Sequence, residues 1–323
     1  TNTGRARLYG RSTMTNKGKE ITGDSLFYDE KRGISQGYHN VIYKDVDKKN
    51  ALHCNYLWYN EKNGFALATD NPVMLEYSQK DTLYVHSDTV KVITYHLNTD
   101  SVYRTAHCYN KVRAYRTDVQ AVCDSLVYNT KDSCMTMYRD PIVWNGERQL
   151  LGEEIRVYMK DSTIDRAHVI NQALSAELMP DKEHYNQLAS KEMFAFFTKG
   201  QIEETQAIGN VRSVYYPVDD KDSTLMGLVY IETDTMRMYM KDRQLQKIWT
   251  SKTDGTWYPM TQIPPNMYKL DGFTWFDYIR PLSKDDIYEW RGKKNGTQLK
   301  NISRHAAPLQ RIEGNEIKQE SLE

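Results

Sequence analysis

The run Asp124-Ser125-Leu126-Val127-Tyr128 alternates polar and apolar residues and ends in the polar stretch Asn129-Thr130-Lys131. Alternation with period 2 is the signature of a strand with one buried face, and the polar stretch reads as the turn that ends it. The same five-residue pattern occurs at Asp24-Ser25-Leu26-Phe27-Tyr28, Asn55-Tyr56-Leu57-Trp58-Tyr59 and Asp88-Thr89-Val90-Lys91-Val92. Looser copies follow at Glu153-Glu154-Ile155-Arg156-Val157, Lys191-Glu192-Met193-Phe194-Ala195 and Asp234-Thr235-Met236-Arg237-Met238. Seven copies begin 29–43 residues apart, with a mean spacing of 35. A fixed period of this size marks a repeat architecture in which each unit covers its neighbour's apolar face.

A second marker follows each turn: Asn40-Val41, Asn71-Pro72-Val73, Asn110-Lys111-Val112, Asp140-Pro141-Ile142 and Gly209-Asn210-Val211. Each unit therefore reads strand, turn, strand, polar corner, strand. The expected fold is all-β, an elongated sandwich of stacked antiparallel strands built from about seven repeats. Stacking aligns Leu26, Leu57, Val90, Leu126, Ile155, Met193 and Met236 in one column. Tyr28, Tyr59, Val92, Tyr128, Val157, Ala195 and Met238 form a second column beside it, and the fourth motif position falls on the outer face. No helical periodicity is sustained in the first 250 residues, and Pro180 makes the segment from Asn171 to Tyr185 read as a long loop.

Composition agrees. Among 323 residues there are 24 Tyr against 7 Phe and 6 Trp, a bias that suits half-wet strand faces. The 43 Lys+Arg balance 43 Asp+Glu, which argues against a nucleic-acid binder working by bulk charge. No apolar run reaches the roughly 20 residues of a membrane helix. The chain opens at Thr1 without the basic and apolar regions of a secretion signal, so none is expected in it. After Thr253 prolines accumulate and the run Asp271-Gly272-Phe273-Thr274-Trp275-Phe276 is dense in aromatics. The expected organisation is a repetitive β body over 1–254, a Trp/Pro-rich cap over 255–291 seated on the last rung, and a polar, disordered tail over 292–323. A short helix capped by Ser283 is expected up to Trp290.

The repeated Asp-Ser-Leu-x-Tyr units, Lys-bearing turns and Gly-Asn-Val marker resemble the OstA-like proteins of Gram-negative lipopolysaccharide transport, which include the LptA-like periplasmic bridge proteins. The resemblance spans about residues 20–250. The run Asp254-Gly255-Thr256-Trp257-Tyr258-Pro259, with Gly272-Phe273-Thr274-Trp275 and Arg280-Pro281, looks like the end of a longer OstA-like subgroup. The resemblance implies a twisted β-jelly-roll, a V-shaped sandwich open along one side, whose interior takes lipid acyl chains. It implies no catalytic residue and no cofactor. It also implies a periplasmic location, with association at the outer membrane as a further expectation. The implied ligand is lipopolysaccharide, held by its lipid A acyl chains. The implied partners are transport-bridge proteins, or a second copy, joined through edge strands. On this reading both columns, Ala195 apart, line the lipid groove, and Leu57→Asp or Leu126→Asp should abolish lipid capture with little loss of soluble protein. The rival reading is a structural β-solenoid scaffold with a filled core that binds proteins through its edges.

Other chemistry is weaker. Gly33-Ile34-Ser35-Gln36-Gly37 matches the G-x-S-x-G nucleophile pattern but sits in a hairpin without the helix that a nucleophile elbow needs. Periodic acids such as Asp24, Asp88, Asp124 and Asp234 read as strand-start residues, since a glycosidase requires one special pair. A carbohydrate-active β-helix enzyme is thereby the third-placed reading. His86, His96 and His107 lack zinc spacing and read as strand residues. Cys54, Cys108, Cys123 and Cys134 contain no C-x-x-C and are expected to be free and buried, with a pairing of Cys108 left open.

Overall fold

The computed structural model describes residues 4–16, 18–161, 163–219, 224–241 and 244–292. The described chain is all-β, with twenty strands whose pairings are antiparallel, and four short 3-10 turns near its end. It divides into two compact units, residues 1–137 with 281–291 and residues 138–280. Most of the expected tail, from residue 293, lies outside the described residues.

The first unit contains β1 (Arg5–Asn16), β2 (Lys19–Asp29), β3 (Ile34–Asp45), β4 (Asn50–Asn60), β5 (Phe65–Thr69) and β6 (Val73–Glu76). It continues with β7 (Leu83–His86), β8 (Thr89–Tyr95), β9 (Tyr103–Arg116), β10 (Val119–Asn129) and most of β11 (Cys134–Tyr138). The second unit contains β12 (Ile142–Asn145), β13 (Arg148–Leu151), β14 (Glu154–Lys160), β15 (Thr163–Leu178) and β16 (Tyr185–Thr198). It closes with β17 (Gln201–Tyr215), β18 (Gly227–Lys241), β19 (Gln244–Thr250) and β20 (Thr253–Pro259).

The polar corners explain how these strands build two walls. His39 and Asn40, Asp70 and Asn71, and Asn110 and Lys111 adopt left-handed backbone conformations in the first unit. Arg139 and Asp140, Asn171 and Gln172, and Gly209 and Asn210 do so in the second. Asn, Asp and Gly tolerate this region at least cost, which is why the marker is written in those residues. Each left-handed pair shifts the register and bends the strand: β2 and β3 pair as Ser25↔Tyr38 before the corner and Thr22↔Ile42 after it. Where a proline follows the pair, as at Pro72 and Pro141, the strand is interrupted there, consistent with the missing N–H. Within each unit the half-strands carrying the motif form a first wall, and the half-strands beyond the corner form a second.

The first motif position is the hinge's polar staple. Asn40 Nδ2 donates to Asp24 Oδ2 at 2.7 Å, and Asn40 N donates to Asn55 Oδ1 at 3.1 Å. In the second unit Asn171 Nδ2 donates to Glu153 Oε2 at 3.1 Å. The Asn40 hydrogen bond, with Arg11 nearby, holds the Asp24 carboxyl below the usual carboxylate range. Of the periodic acids only Asp88 stands at a strand start, before β8; Asp24, Asp124 and Asp234 lie inside β2, β10 and β18, beside the bend, which corrects the strand-start expectation.

Three further sequence expectations are corrected. The segment from Asn171 to Tyr185 is strand over most of its length, since β15 runs to Leu178 and β16 starts at Tyr185. Ala173, Leu174 and Ala176 are all buried, so both faces of this half-strand are apolar and no alternation reveals it. Residues 283–290 form one 3-10 turn, Asp286–Tyr288, with Asp286 N donating to Ser283 Oγ at 3.2 Å. His86 and His107 lie in strands, whereas His96 stands left-handed in the turn after β8.

The cap region, 255–291, begins inside β20, which pairs with β18 from Gly227↔Pro259 to Thr233↔Thr253. Beyond it the chain is a strap lying over the outer face of the second wall. Residues 263–280 cover Gln149 and Gln187 in the second unit, and residues 281–291 cover His86 and Arg113 in the first.

Candidate functional site

The inner faces of the two walls meet at the corners. An added Cβ at Gly37, on the first wall, would lie 2.9 Å from Val41 Cγ1 on the second, so the walls touch there. The row beside the corner is closed. Leu26, Leu57, Val90 and Leu126 are 1–3% exposed in the first unit, and Ile155, Met193 and Met236 are 1–4% exposed in the second. Val41, Val112, Ala173 and Val211, each directly after a left-handed pair, face them at 1% exposure.

One step from the corner the packing loosens. Tyr28, Tyr59, Val92, Tyr128, Val157, Ala195 and Met238 are all half-buried. The register sets small residues between them: Tyr28 pairs with Ser35, Ser35 with Tyr59 and Tyr59 with Ala66. Ala66 then pairs with Val92, Val92 with Ala106 and Ala106 with Tyr128. This second row alternates large and small side chains along the first unit. In the second unit it runs Val157, Ala167, Ala195, Thr205, Met238, Ile248. Sequence reasoning identified the members that the motif carries and missed those on return strands without a motif, which are small in the first unit and are Ala167, Thr205 and Ile248 in the second.

The two columns therefore differ in kind. Leu57 and Leu126 belong to the closed row, so an Asp at either position buries an unpaired carboxylate, with a penalty of several kcal/mol. The expectation that such variants remain soluble is corrected on that ground.

The tyrosines of the second row keep their protons. Burial raises Tyr59 and Tyr128 above the ordinary phenol value, and burial with Glu61 raises Tyr28. Tyr43, on the second wall, is pushed up to about 12, chiefly by burial. Tyr28 donates to Glu61 Oε1 at 3.2 Å.

The weaker candidates resolve simply. Ser35 lies in β3 between Tyr28 and Tyr59. All four cysteines are free and buried, and burial pushes the Cys54 and Cys108 thiols up to about 12. Among the described residues no group of three His, Cys, Asp or Glu is placed to hold a metal ion. A cleft of about 470 Å³ lies at the last corner, lined by Arg212, Glu232, Asp234, Lys252 and Asp254 among others.

No protein-family model matches this chain, and no curated protein does. Among solved structures it is similar to LptH of Pseudomonas aeruginosa, the LptA-homologous periplasmic component of the lipopolysaccharide transport device. The identity is 15% and the TM-score 0.31, over 38% of this chain and 82% of that one. The fold described above rests on the strand pairings themselves.

Proposed function

We propose that this protein is a non-enzymatic lipid carrier that shelters the hydrocarbon chains of an amphiphile along the second row, between its two walls. The step in burial from the first row to the second carries the reading: the walls are closed at the hinge and incompletely covered one row out. The half-buried side chains there are Tyr, Val and Met beside Ala and Ser, a corrugated surface that matches flexible alkyl chains. Each CH₂ moved from water onto it is worth about 0.8 kcal/mol, so a few methylenes suffice for capture without specific chemistry. At the finer level the ligand is lipopolysaccharide, its acyl chains inside and its sugar-phosphate part in water, on its way across the periplasm to the outer membrane. Strand β1 pairs with β2 alone among the described strands, and such an edge supports joining to a transport-bridge protein or a second copy by β-augmentation.

The test is lipid extraction and mass spectrometry of the purified chain, followed by titration with a fluorescent fatty-acyl probe. Tyr59→Asp, Tyr128→Asp and Met238→Asp are expected to fold and to weaken probe binding at least ten-fold. Wild-type protein that carries no lipid and ignores the probe defeats the proposal, as do second-row variants that bind normally. The rival reading, a scaffold with a filled core, takes its support from the closed first row and requires that no lipid be found.

A further inference from the structure

The strap over the second unit touches a sheet that is already complete. Every strand beneath it has its ladder partners: β13 and β16 flank β15, β17 follows β16, and β18 follows β17. The strap's own backbone–backbone hydrogen bonds are local, such as Phe273 N to Leu270 O and Ile279 N to Phe276 O. Side chains join the two: Arg212 Nη1 donates to Asp271 Oδ2 at 3.3 Å and Arg280 Nη1 to Gly146 O at 2.9 Å, and two glutamines on the outer face, Gln149 and Gln187, are buried beneath the strap at 1% and 2% exposure.

Both glutamines read the strap in the same way. Gln149 Nε2 donates to Thr274 O at 2.8 Å, and its Oε1 accepts from Phe276 N at 2.7 Å. Gln187 Nε2 donates to Tyr268 O at 2.8 Å, and its Oε1 accepts from Leu270 N at 2.9 Å. Each amide takes the carbonyl of one residue and the N–H of the residue two further on. That is the pair of groups that a single residue of a parallel neighbouring strand takes with its own N–H and C=O, so each side-chain amide stands in for one such residue. The apolar anchors are six residues apart: Leu270 is 5% exposed and Phe276 is fully buried. Between them Gly272 turns at φ 81°, and Phe273 and Trp275 lie 4.9 and 5.3 Å from the Tyr185 ring.

We propose that this face is a binding site for a peptide segment that turns between two apolar anchors, and that residues 263–280 occupy it as an intramolecular ligand rather than as part of the sheet's core. The ligand class follows from the contacts: a backbone presented as carbonyl and N–H two residues apart, read twice, with apolar side chains six residues apart. Affinity in the intact chain is raised by the tether, which keeps the segment at high effective concentration.

The experiment is a cut at the tether in the otherwise complete protein. A protease site inserted after Thr261, which is exposed, would be cleaved in the folded chain, and a fluorescein-labelled peptide spanning 263–291 added in excess. The expected result is a cleaved protein that keeps its β-sheet circular dichroism, retains the fragment on gel filtration and exchanges it for the labelled peptide, seen as a rise in anisotropy. Gln149→Leu with Gln187→Leu should lower labelled-peptide affinity at least ten-fold while the uncut protein keeps its sheet. Phe276→Ala in the labelled peptide should do the same without altering the protein. Loss of the sheet on cleavage overturns the proposal, as does a fragment that never exchanges. Unchanged affinity for the Phe276→Ala peptide also overturns it.

Discussion

Gly37 occupies a place where no side chain fits. Its neighbour across the corner, Val41, would meet an added Cβ with Cγ1 at 2.9 Å and Cγ2 at 3.0 Å, and Leu26 Cδ2 would lie at 3.4 Å. Both Leu26 and Val41 are fully buried, so neither can step aside. Gly37→Ala should therefore destabilise the protein by about 1–3 kcal/mol, read as a lowered urea midpoint, while Ser35→Ala two residues away should be near neutral. A Gly37→Ala variant with unchanged stability would mean that the walls part more readily at the hinge than their packing implies. The thiols give a second check at this scale. Cys54 and Cys108 are expected to resist iodoacetamide at pH 8 in the native state and to react once the protein is unfolded in urea, as followed by mass spectrometry, because burial holds both near 12.

At the scale of elements, the strap's second half has its own attachment. Arg113 Nε donates to Ile287 O, its guanidinium lies 5.6 Å from the Trp290 ring, and the His86 ring is 5.0 Å from that of Tyr288. His86 Nδ1 lies 2.9 Å from Pro72 O, which can only accept, so that nitrogen carries the proton. Burial, and next the Arg113 charge, depress the His86 pKa below its ordinary 6.5. The folded protein then binds fewer protons than the unfolded chain between those two values. The stabilisation is complete above about pH 6.5 and is lost as pH falls toward the depressed value. Protection of residues 281–291, measured as exchange relative to the intrinsic rate at each pH, should fall as pH drops through that window, and His86→Phe should flatten the dependence. His53, also depressed by burial, contributes to global stability in the same range, so local exchange is the discriminating readout. The strap shows what sequence periodicity could reach: its aromatic density marked an ordered segment, but its seat depends on two glutamines. Gln149 lies in the four-residue β13, too short for its alternation to show, and Gln187 stands next to the equally buried Leu188 in β16, so neither polar residue is marked as core by its neighbours.

For the molecule as a whole, the motif and its marker were legible because two demands repeat at every rung: an apolar residue beside the hinge, and a left-handed pair to make the hinge. Leu26 and Val41, Met193 and Val211 are instances, each 1–4% exposed. The corner at Asn171 and Gln172 escaped because Ala173, rather than Val or Ile, follows it. The small partners of the second row, Ser35, Ala66 and Ala106, escaped because a small side chain between two large ones leaves no local pattern. Each bend is also self-contained, made by its own left-handed pair and stapled by adjacent rungs such as Asp24, Asn40 and Asn55. Duplication or loss of a complete rung would leave every other hinge intact, whereas deletion of one residue between Leu26 and Val41 would invert the facing of an entire half-strand. Lineages carrying this architecture should accordingly differ in length by steps of about 35 residues, with single-residue gaps confined to the hairpin tips.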